Sequence, residues 1–216
     1  MKSLIQKYKH AWVFLYGLIY CPWFYYLEQT VTKHFHVIHT AIDDKIPFVE
    51  YFIIPYYLWF PFVAAAVLYF FFKDKDEFYK IMKFLIIGMT IFLIFSTIYP
   101  NGQTLRPTVF ERDNIFVELV KGLYKVDTPT NIFPSIHVYN SLAVYIAVRN
   151  SKHLKEKKWI QFGTWFLTTS IILSTVFLKQ HSILDMIGAF LIACPAYGFV
   201  YVVDPKAVPV LEKVHV

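Results

Sequence analysis

His181 and Asp185 are the two residues whose types and spacing most directly indicate chemistry. They are four residues apart, which places both side chains on one face of a helix. The Asp185 carboxylate can then accept a hydrogen bond from one imidazole nitrogen of His181 and leave the other nitrogen free to attack. A carboxylate has the same orienting role in a Ser-His-Asp triad. The alternative interpretation of this spacing is a structural hydrogen bond.

A second histidine, His137, lies in the segment Pro134-Ser135-Ile136-His137, which is typical of the start of a helix. Proline is favoured in the first helical turn, where several backbone amides have no partner within the helix. Those amides, the helix dipole and the Ser135 hydroxyl could together hold a phosphate, while His137 could protonate a leaving oxygen. The alternative is a plain helix start with a buried histidine.

Two cations stand close to these segments in the sequence. Arg106, followed by Pro107, offers a planar and permanently charged fork that matches two phosphate oxygens. Lys179 lies two residues before His181. Either side chain could instead extend towards lipid headgroups at the membrane surface.

The composition predicts that these residues belong to a membrane protein. Hydrophobic residues make up 57% of the 216 residues and charged residues only 17%, against a globular norm of roughly 45–50% and 25%. A helix needs about 20 apolar residues to cross the hydrocarbon layer. Six stretches approach this length and predict one all-α domain, residues 1–216, that is a bundle of six transmembrane helices: Ala11–Leu27, Tyr51–Phe72, Phe84–Tyr99, Pro134–Val148, Trp159–Leu178 and Ile183–Val203.

The distribution of cations predicts how this bundle is oriented. If the amino terminus is cytoplasmic, fourteen of the 21 Lys and Arg residues fall on the cytoplasmic side, so the positive-inside rule favours both termini there. Three polar clusters then share the outer side: Tyr99–Pro107, Asn131–His137 and Lys179–Asp185. Because ionisable groups at membrane depth are costly, their convergence at one level predicts a functional site that faces outward.

The segment Thr30–Glu50 joins the first two predicted spans and contains His34, His36 and His39. Its mixed composition predicts an interfacial helix on the outer leaflet. Three histidines so close could bind a metal, but no ligand geometry is evident, and we favour a solvated surface.

Several other classes of function are disfavoured by the sequence. Cys21 and Cys194 each lie in an apolar run, which argues against a disulfide framework. The net charge of +6 is explained by membrane orientation, and no nucleic-acid-binding module is present. The first apolar stretch has no small residues at a cleavage position, which predicts an uncleaved signal anchor.

Three segments, taken in order, resemble the motifs of the type 2 phosphatidic acid phosphatase superfamily: Arg106-Pro107, Pro134-Ser135-Ile136-His137, and Ser174 with His181 and Asp185. The resemblance covers Tyr99 to Gly188 and extends to the six-helix architecture. It implies phosphoryl transfer without a metal or cofactor, with His181 as nucleophile, Asp185 orienting it and His137 as general acid. It also implies that Ser135 and Arg106 hold phosphate oxygens.

The match departs from the usual motifs at three positions. Tyr99 stands where the first motif usually has Lys, Thr175 where the third usually has Arg, and Ile136 where the second has Gly. Two phosphate-binding cations are therefore missing, and Lys179 is a candidate substitute for one of them. The residues of the second and third motifs are more similar to those of the branch that contains inositol phosphorylceramide and sphingomyelin synthases.

The sequence thus predicts a membrane lipid phosphatase, located in the plasma membrane with an outward-facing site, that acts on a phosphatidic acid-like lipid through a phosphohistidine. The expected partners are a phospholipid or lipid phosphate substrate and membrane lipids. Two alternatives stay open. One is a transferase that moves a phospho-headgroup between lipids, and the other is a non-catalytic membrane protein or transporter.

Overall fold

A computed structural model describes residues 6–203, and its helical content of 72% confirms a mostly helical fold. A 3₁₀ helix, Lys9–Tyr16, leads directly into the first α-helix, and a π-helical turn, Gly198–Val202, follows the last one. The described residues form seven α-helices: α1 Gly17–Thr30, α2 Ile53–Lys73, α3 Lys75–Ile98, α4 Ile115–Val126, α5 Ile136–Asn150, α6 Lys158–Phe177 and α7 Ile183–Tyr197.

Four helical segments in the described part of the chain are long and apolar enough to cross a membrane: Glu50–Lys73, Lys75–Ile98, Lys158–Phe177 and Ile183–Val202. They correspond to the second, third, fifth and sixth predicted spans. The first predicted span is divided between the 3₁₀ helix and α1, and the fourth, α5, has only 15 residues. The chain is therefore a helical membrane protein, while six spans and two cytoplasmic termini stay predictions. Lys2, Lys206 and Lys213, which contribute to the orientation argument, lie outside the described residues.

Helix α3 begins nine residues earlier than the predicted span at Phe84. The side chain of Asp74 accepts hydrogen bonds from the Asp76 and Glu77 amides at 2.9 and 3.1 Å, which caps the helix start. The charged segment that follows also buries an apolar face, including Phe78 and Ile81. Hydropathy therefore located the membrane-crossing part of α3 but not its amphipathic first turns.

Helix α5 lies at the centre of the bundle, in contact with α2, α3, α6 and α7. Tyr139 packs its ring against α3, where a Cβ atom on Gly88 would lie only 2.0 Å from the ring. The Tyr139 hydroxyl donates to the carbonyl of Phe84 at 2.9 Å. Because protein surrounds α5 on several sides, it can be shorter and more polar than a lipid-facing helix, and its first turn brings His137 into the bundle.

The prediction of an interfacial helix over Thr30–Glu50 is wrong. This segment instead contains a two-residue strand, β1 His36–Val37, and a 3₁₀ turn, Asp43–Lys45. Strand β1 pairs in parallel with β2, Asn101–Gly102. The segment is held by backbone pairing and by the buried Asp43 side chain, so it needs no helical face of its own.

Helix α4 lies within the stretch between the third and fourth predicted spans. The Asn114 side chain caps it by accepting from the Phe116 and Val117 amides, both at 3.0 Å. Val117, Val120 and Leu123 are buried at three-residue spacing, which is one face of a helix. Its apolar face is too short to register as a membrane span.

Candidate active site

His181 lies just before α7, and Asp185 is the third residue of that helix. The Nδ1 atom of His181 donates to Oδ2 of Asp185 at 3.2 Å, and both side chains are buried. The same oxygen accepts from the Ser182 amide at 2.8 Å, as part of a capping box at the start of α7. The helix start thus fixes the carboxylate, and the carboxylate fixes the imidazole with Nε2 on its other side.

His137 faces that second nitrogen. Its Nδ1 atom lies 3.3 Å from Nε2 of His181, although the two residues are 44 positions apart in the chain. The His137 ring is stacked on Tyr56, with ring centroids 4.7 Å apart, and its centroid lies 4.3 Å from that of Trp59. The two histidines singled out in the sequence therefore meet, and aromatic rings of α2 position one of them.

The two imidazoles border a small cavity of about 40 Å³. The 3.3 Å contact leaves no room for a phosphorus atom between the two nitrogens, so the His137 ring must turn away before Nε2 of His181 can attack a phosphate ester. The polar residues that line the cavity with the two histidines are Glu28, Asp127, Thr128, Thr130, Asn131 and Gln180.

Arg106 does not line this cavity, and its guanidinium is held by protein atoms. It donates to the carbonyls of Tyr124, Asp127 and Thr128 at 3.3, 2.9 and 3.1 Å, and also to the Gln180 side chain. Its guanidinium carbon lies 4.5 Å from the centre of the Tyr124 ring. Burial lowers the pKa of Arg106, although the charge of Asp127 opposes this shift. Through these contacts Arg106 holds in place the segment that forms one wall of the cavity.

Lys179 is likewise directed at protein and is not among the residues that line the cavity. Its Nζ atom donates to the carbonyl of Asp43 at 2.6 Å. Burial lowers the pKa of Lys179, while the charges of Asp43 and Asp44 oppose the shift. Its backbone has a φ of 52°, the left-handed region that non-glycine residues seldom adopt. This conformation forms the tight turn between α6 and α7 that presents Gln180 and His181.

Ser135 is fully buried and acts as the N-cap of α5. Its hydroxyl accepts from the Val138 amide at 3.4 Å, and its own amide donates to the carbonyl of Asp185 at 3.1 Å. That second bond ties the start of α5 to the start of α7. The structure therefore brings His137, His181 and Asp185 together, and it places Ser135, Arg106 and Lys179 around them as supports.

Asp43 is a residue of this site that sequence reasoning missed. It is 1% exposed, and its carboxylate accepts from the Ser182 hydroxyl at 2.6 Å and from the Ile183 amide at 2.9 Å. Burial acts to raise its pKa, but these bonds and two from Thr40 outweigh it and lower the pKa below the usual value. No local signal links Asp43 to this site, because its partners at the start of α7 lie about 140 residues away in the chain.

Two further networks, also missed, hold the cavity wall. Oδ1 of Asn101 accepts from the Ile132 and Phe133 amides at 3.0 and 2.9 Å. Glu28, near the end of α1, accepts from Thr128 at 2.6 Å and from Asn131 at 2.8 Å. Asn101 stands inside one of the three polar clusters and could have been singled out. Glu28 is an isolated acid after an apolar run and gave no such signal.

Tyr99 and Thr175, which stand where the motifs usually carry cations, both contact other parts of the protein. Tyr99 stacks on the His36 ring, with centroids 4.1 Å apart. Thr175 is buried, and its carbonyl accepts from the Gln180 and His181 amides at 2.9 and 3.0 Å. Neither a Lys nor an Arg is found among the described residues that line the cavity. The site thus surrounds its two histidines with neutral and acidic groups.

The fold and this site define a helical membrane protein with two facing histidines, one of them paired with a buried carboxylate. The sequence model of the PAP2 superfamily matches residues 101–209, half of the chain, and the chain belongs to this superfamily. Members of the superfamily are generally phosphatases or phosphotransferases that act on phosphate esters, so this protein is an enzyme of that kind. Comparisons with curated proteins and with solved structures gave no match.

Proposed function

We propose that this protein cleaves a phosphate ester of an amphiphilic lipid through a phosphohistidine formed on His181. The observation that carries the proposal is the chain of contacts from Asp185 through His181 to His137, with distances of 3.2 and 3.3 Å. It aligns an orienting carboxylate, a nucleophilic nitrogen and a second imidazole that can carry a proton.

In the first step, the His137 ring turns aside and Nε2 of His181 attacks phosphorus. The nitrogen–phosphorus bond forms as the bond to the leaving lipid oxygen breaks, and protonated His137 gives its proton to that oxygen. In the second step, His137 takes a proton from water as the water oxygen attacks phosphorus. The nitrogen–phosphorus bond then breaks, phosphate leaves, and both histidines return to their starting protonation states.

Neutral donors stabilise the equatorial phosphate oxygens in this proposal. Ile136 and His137 are the first two residues of α5, where backbone amides have no partner within the helix, and both residues line the cavity. The Gln180 side chain lies on the same cavity. Arg106 and Lys179 act through these groups by holding the cavity wall and the turn before α7. No step requires a metal.

A second candidate function, transfer of a phospho-headgroup to a lipid alcohol, is favoured by the charge of the cavity. A phosphate monoester carries up to two negative charges near neutral pH, whereas a phosphodiester carries one. Glu28 and Asp127 line the cavity, the described lining contains no Lys or Arg, and Arg106 acts on the charge of Asp127 only from behind the wall. A diester suits this environment better, and the phosphohistidine chemistry is unchanged if a lipid hydroxyl replaces water as the acceptor.

The experiment that tests the proposal is a lipid panel that measures two products at once. The purified protein in lipid nanodiscs is incubated with phosphate-labelled lipids, both monoesters and diesters, together with an unlabelled acceptor lipid. Free phosphate supports hydrolysis, and labelled acceptor lipid supports transfer. Neither product across the panel, with folded protein present, would overturn both functions and favour a non-catalytic protein or a transporter. The same protein oriented in sealed vesicles tests the proposed outward-facing site.

A further inference from the structure

An apolar groove of about 540 Å³ runs between α1, α2, α3 and α5. On α2 its wall extends from Trp59 to Leu68, ten residues whose nine steps span about 14 Å at 1.5 Å per residue. Nearly all of the side chains that line it are apolar. Its shape and chemistry fit a single hydrocarbon chain that lies along the helices.

The groove reaches the candidate active site. Ile136, the first residue of α5, lines both the groove and the cavity that holds the two histidines. Trp59 also lines the groove, and its ring centroid is 4.3 Å from that of His137. A chain in the groove would therefore end beside the proposed proton donor.

Two polar atoms in the groove wall have no hydrogen-bond partner among the described residues: Nε1 of Trp59 and Oδ1 of Asn140. Asn140 is only 4% exposed, and buried polar groups of this kind are normally satisfied. It lies four residues after Ile136, about 6 Å further along α5. Asn140 thus offers an acceptor about one helical turn inside the catalytic level, and Trp59 offers a donor on a ring that lies beside His137.

We propose that this groove binds one hydrocarbon chain of the lipid substrate, and that Trp59 and Asn140 bind the polar linkage between that chain and the phosphate. An indole N–H can only donate, so the partner of Trp59 must be an acceptor, and we assign it to the carbonyl oxygen of an ester or amide linkage. Oδ1 of Asn140 accepts from a hydroxyl or N–H group of the same lipid. This inference rests on the proposed function, because the phosphate at His181 sets the position of the lipid.

Filling the groove is the first test. Gly17 lines the groove, and a Cβ atom there would meet nothing within 4 Å, so Gly17→Trp can be accommodated. Gly163→Trp is the matched control, because its Cβ also meets open space, on α6 and outside the groove. The measurement is the ratio of the rate on dioleoyl phosphatidate to the rate on water-soluble p-nitrophenyl phosphate. We expect Gly17→Trp to lower this ratio at least tenfold and Gly163→Trp to leave it at the wild-type value; an unchanged ratio in Gly17→Trp overturns the proposal.

A binding measurement separates this inference from the proposed function. His181→Asn in nanodiscs is irradiated with a phosphatidate that carries a diazirine in one acyl chain, and the labelled peptides are mapped. Cross-links on groove residues such as Val67 and Leu85, lost in His181→Asn/Gly17→Trp, support the groove even if the wild type turns over no lipid. Cross-links confined to outer bilayer-facing side chains overturn the groove even if lipid turnover is normal.

The polar pair has its own test, a comparison of ester-linked with ether-linked lipid phosphates of equal chain length. The ether lacks the carbonyl, so the wild type should prefer the ester by about three- to tenfold in kcat/KM, the usual worth of one hydrogen bond. Trp59→Phe keeps an aromatic ring beside His137 but removes the N–H, and should abolish this preference. A preference that persists in Trp59→Phe would refute the assigned contact.

Asn140→Leu should raise the KM for lipid more than that for p-nitrophenyl phosphate, and equal effects would exclude Asn140 from lipid binding.

Discussion

The Nε2 atom of His181 lies 3.3 Å from Nδ1 of His137, so the two imidazoles are hydrogen-bonded partners. Because Asp185 accepts from the opposite nitrogen of His181, Nε2 of His181 is the acceptor and Nδ1 of His137 the donor. In the proposed mechanism this contact must break before Nε2 of His181 can reach phosphorus, so the first step requires a rotation of the His137 side chain.

The orienting role that we propose for Asp185 predicts a large loss of rate when its charge is removed. Asp185→Asn keeps the shape of the side chain but neither fixes the tautomer of His181 nor stabilises its positive charge. We expect kcat to fall by about 10²- to 10⁴-fold while folded protein remains in the membrane. Asp44→Asn is the matched control, because its side chain is 64% exposed, and it should retain the wild-type rate. Near-normal activity of Asp185→Asn would reduce its role to capping α7.

Arg106 distinguishes support of the cavity wall from direct phosphate binding. Its four donor contacts all go to protein atoms, and a lysine cannot reproduce them. Arg106→Lys should therefore lower the free energy of unfolding by about 1–3 kcal/mol and reduce kcat more than it raises KM. The control is Arg149→Lys, whose side chain is exposed at the end of α5. A large rise in KM and loss of phosphate inhibition, with normal stability, would instead support the direct contact that the motif resemblance implies.

The Asp43 carboxylate attaches the Thr30–Glu50 segment to α7, and we expect acid to weaken this attachment. Its pKa is lowered in the folded protein, so the stabilisation is complete above its unfolded value of about 4 and is lost as pH falls through the lower folded value. The melting temperature of Asp43→Asn should lie below that of the wild type at pH 7. The difference should shrink as pH falls below about 4. A difference that is constant from pH 7 to pH 3 would show that the charge of Asp43 does not carry the attachment.

Substitution of Gly88 tests how closely α3 and α5 pack at the centre of the bundle. A Cβ atom there would lie 2.0 Å from the ring of Tyr139, whose hydroxyl is bonded to Phe84. Gly88→Ala should destabilise the protein by about 1–3 kcal/mol, the usual cost of overpacking, and lower the melting temperature. Gly163→Ala, where the new methyl group meets nothing, should not lower it. Equal melting temperatures for the two variants would mean that Tyr139 moves aside without cost.

The sequence predicted the helical fold and the residues at the centre of the site because both leave local signals. Apolar runs of membrane-crossing length identified four helices that the structure contains. His181 and Asp185 are only one helical turn apart, and Pro134 with Ser135 marks the start of the helix that bears His137. Spacing of this kind can be read from the chain without knowledge of its fold.

The supports around the site could not be predicted, because their partners are distant in the chain. Asp43 contacts Ser182 across 139 positions, and Glu28 contacts Asn131 across 103. The positive charges of Arg106 and Lys179 suggested a phosphate as partner, whereas burial directs both to carbonyl oxygens. The sequence shows the charge of a side chain, but it does not show which group that side chain will contact in the folded protein.

The most direct test of the account is to trap the covalent intermediate. The purified protein is mixed with phosphate-labelled substrate, quenched in base within milliseconds, and digested for mass spectrometry. We expect a base-stable, acid-labile phosphoryl group on His181 that both forms and hydrolyses more slowly in His137→Asn and is absent from His181→Asn. A phosphoryl group on another residue, or full turnover by His181→Asn, would contradict it.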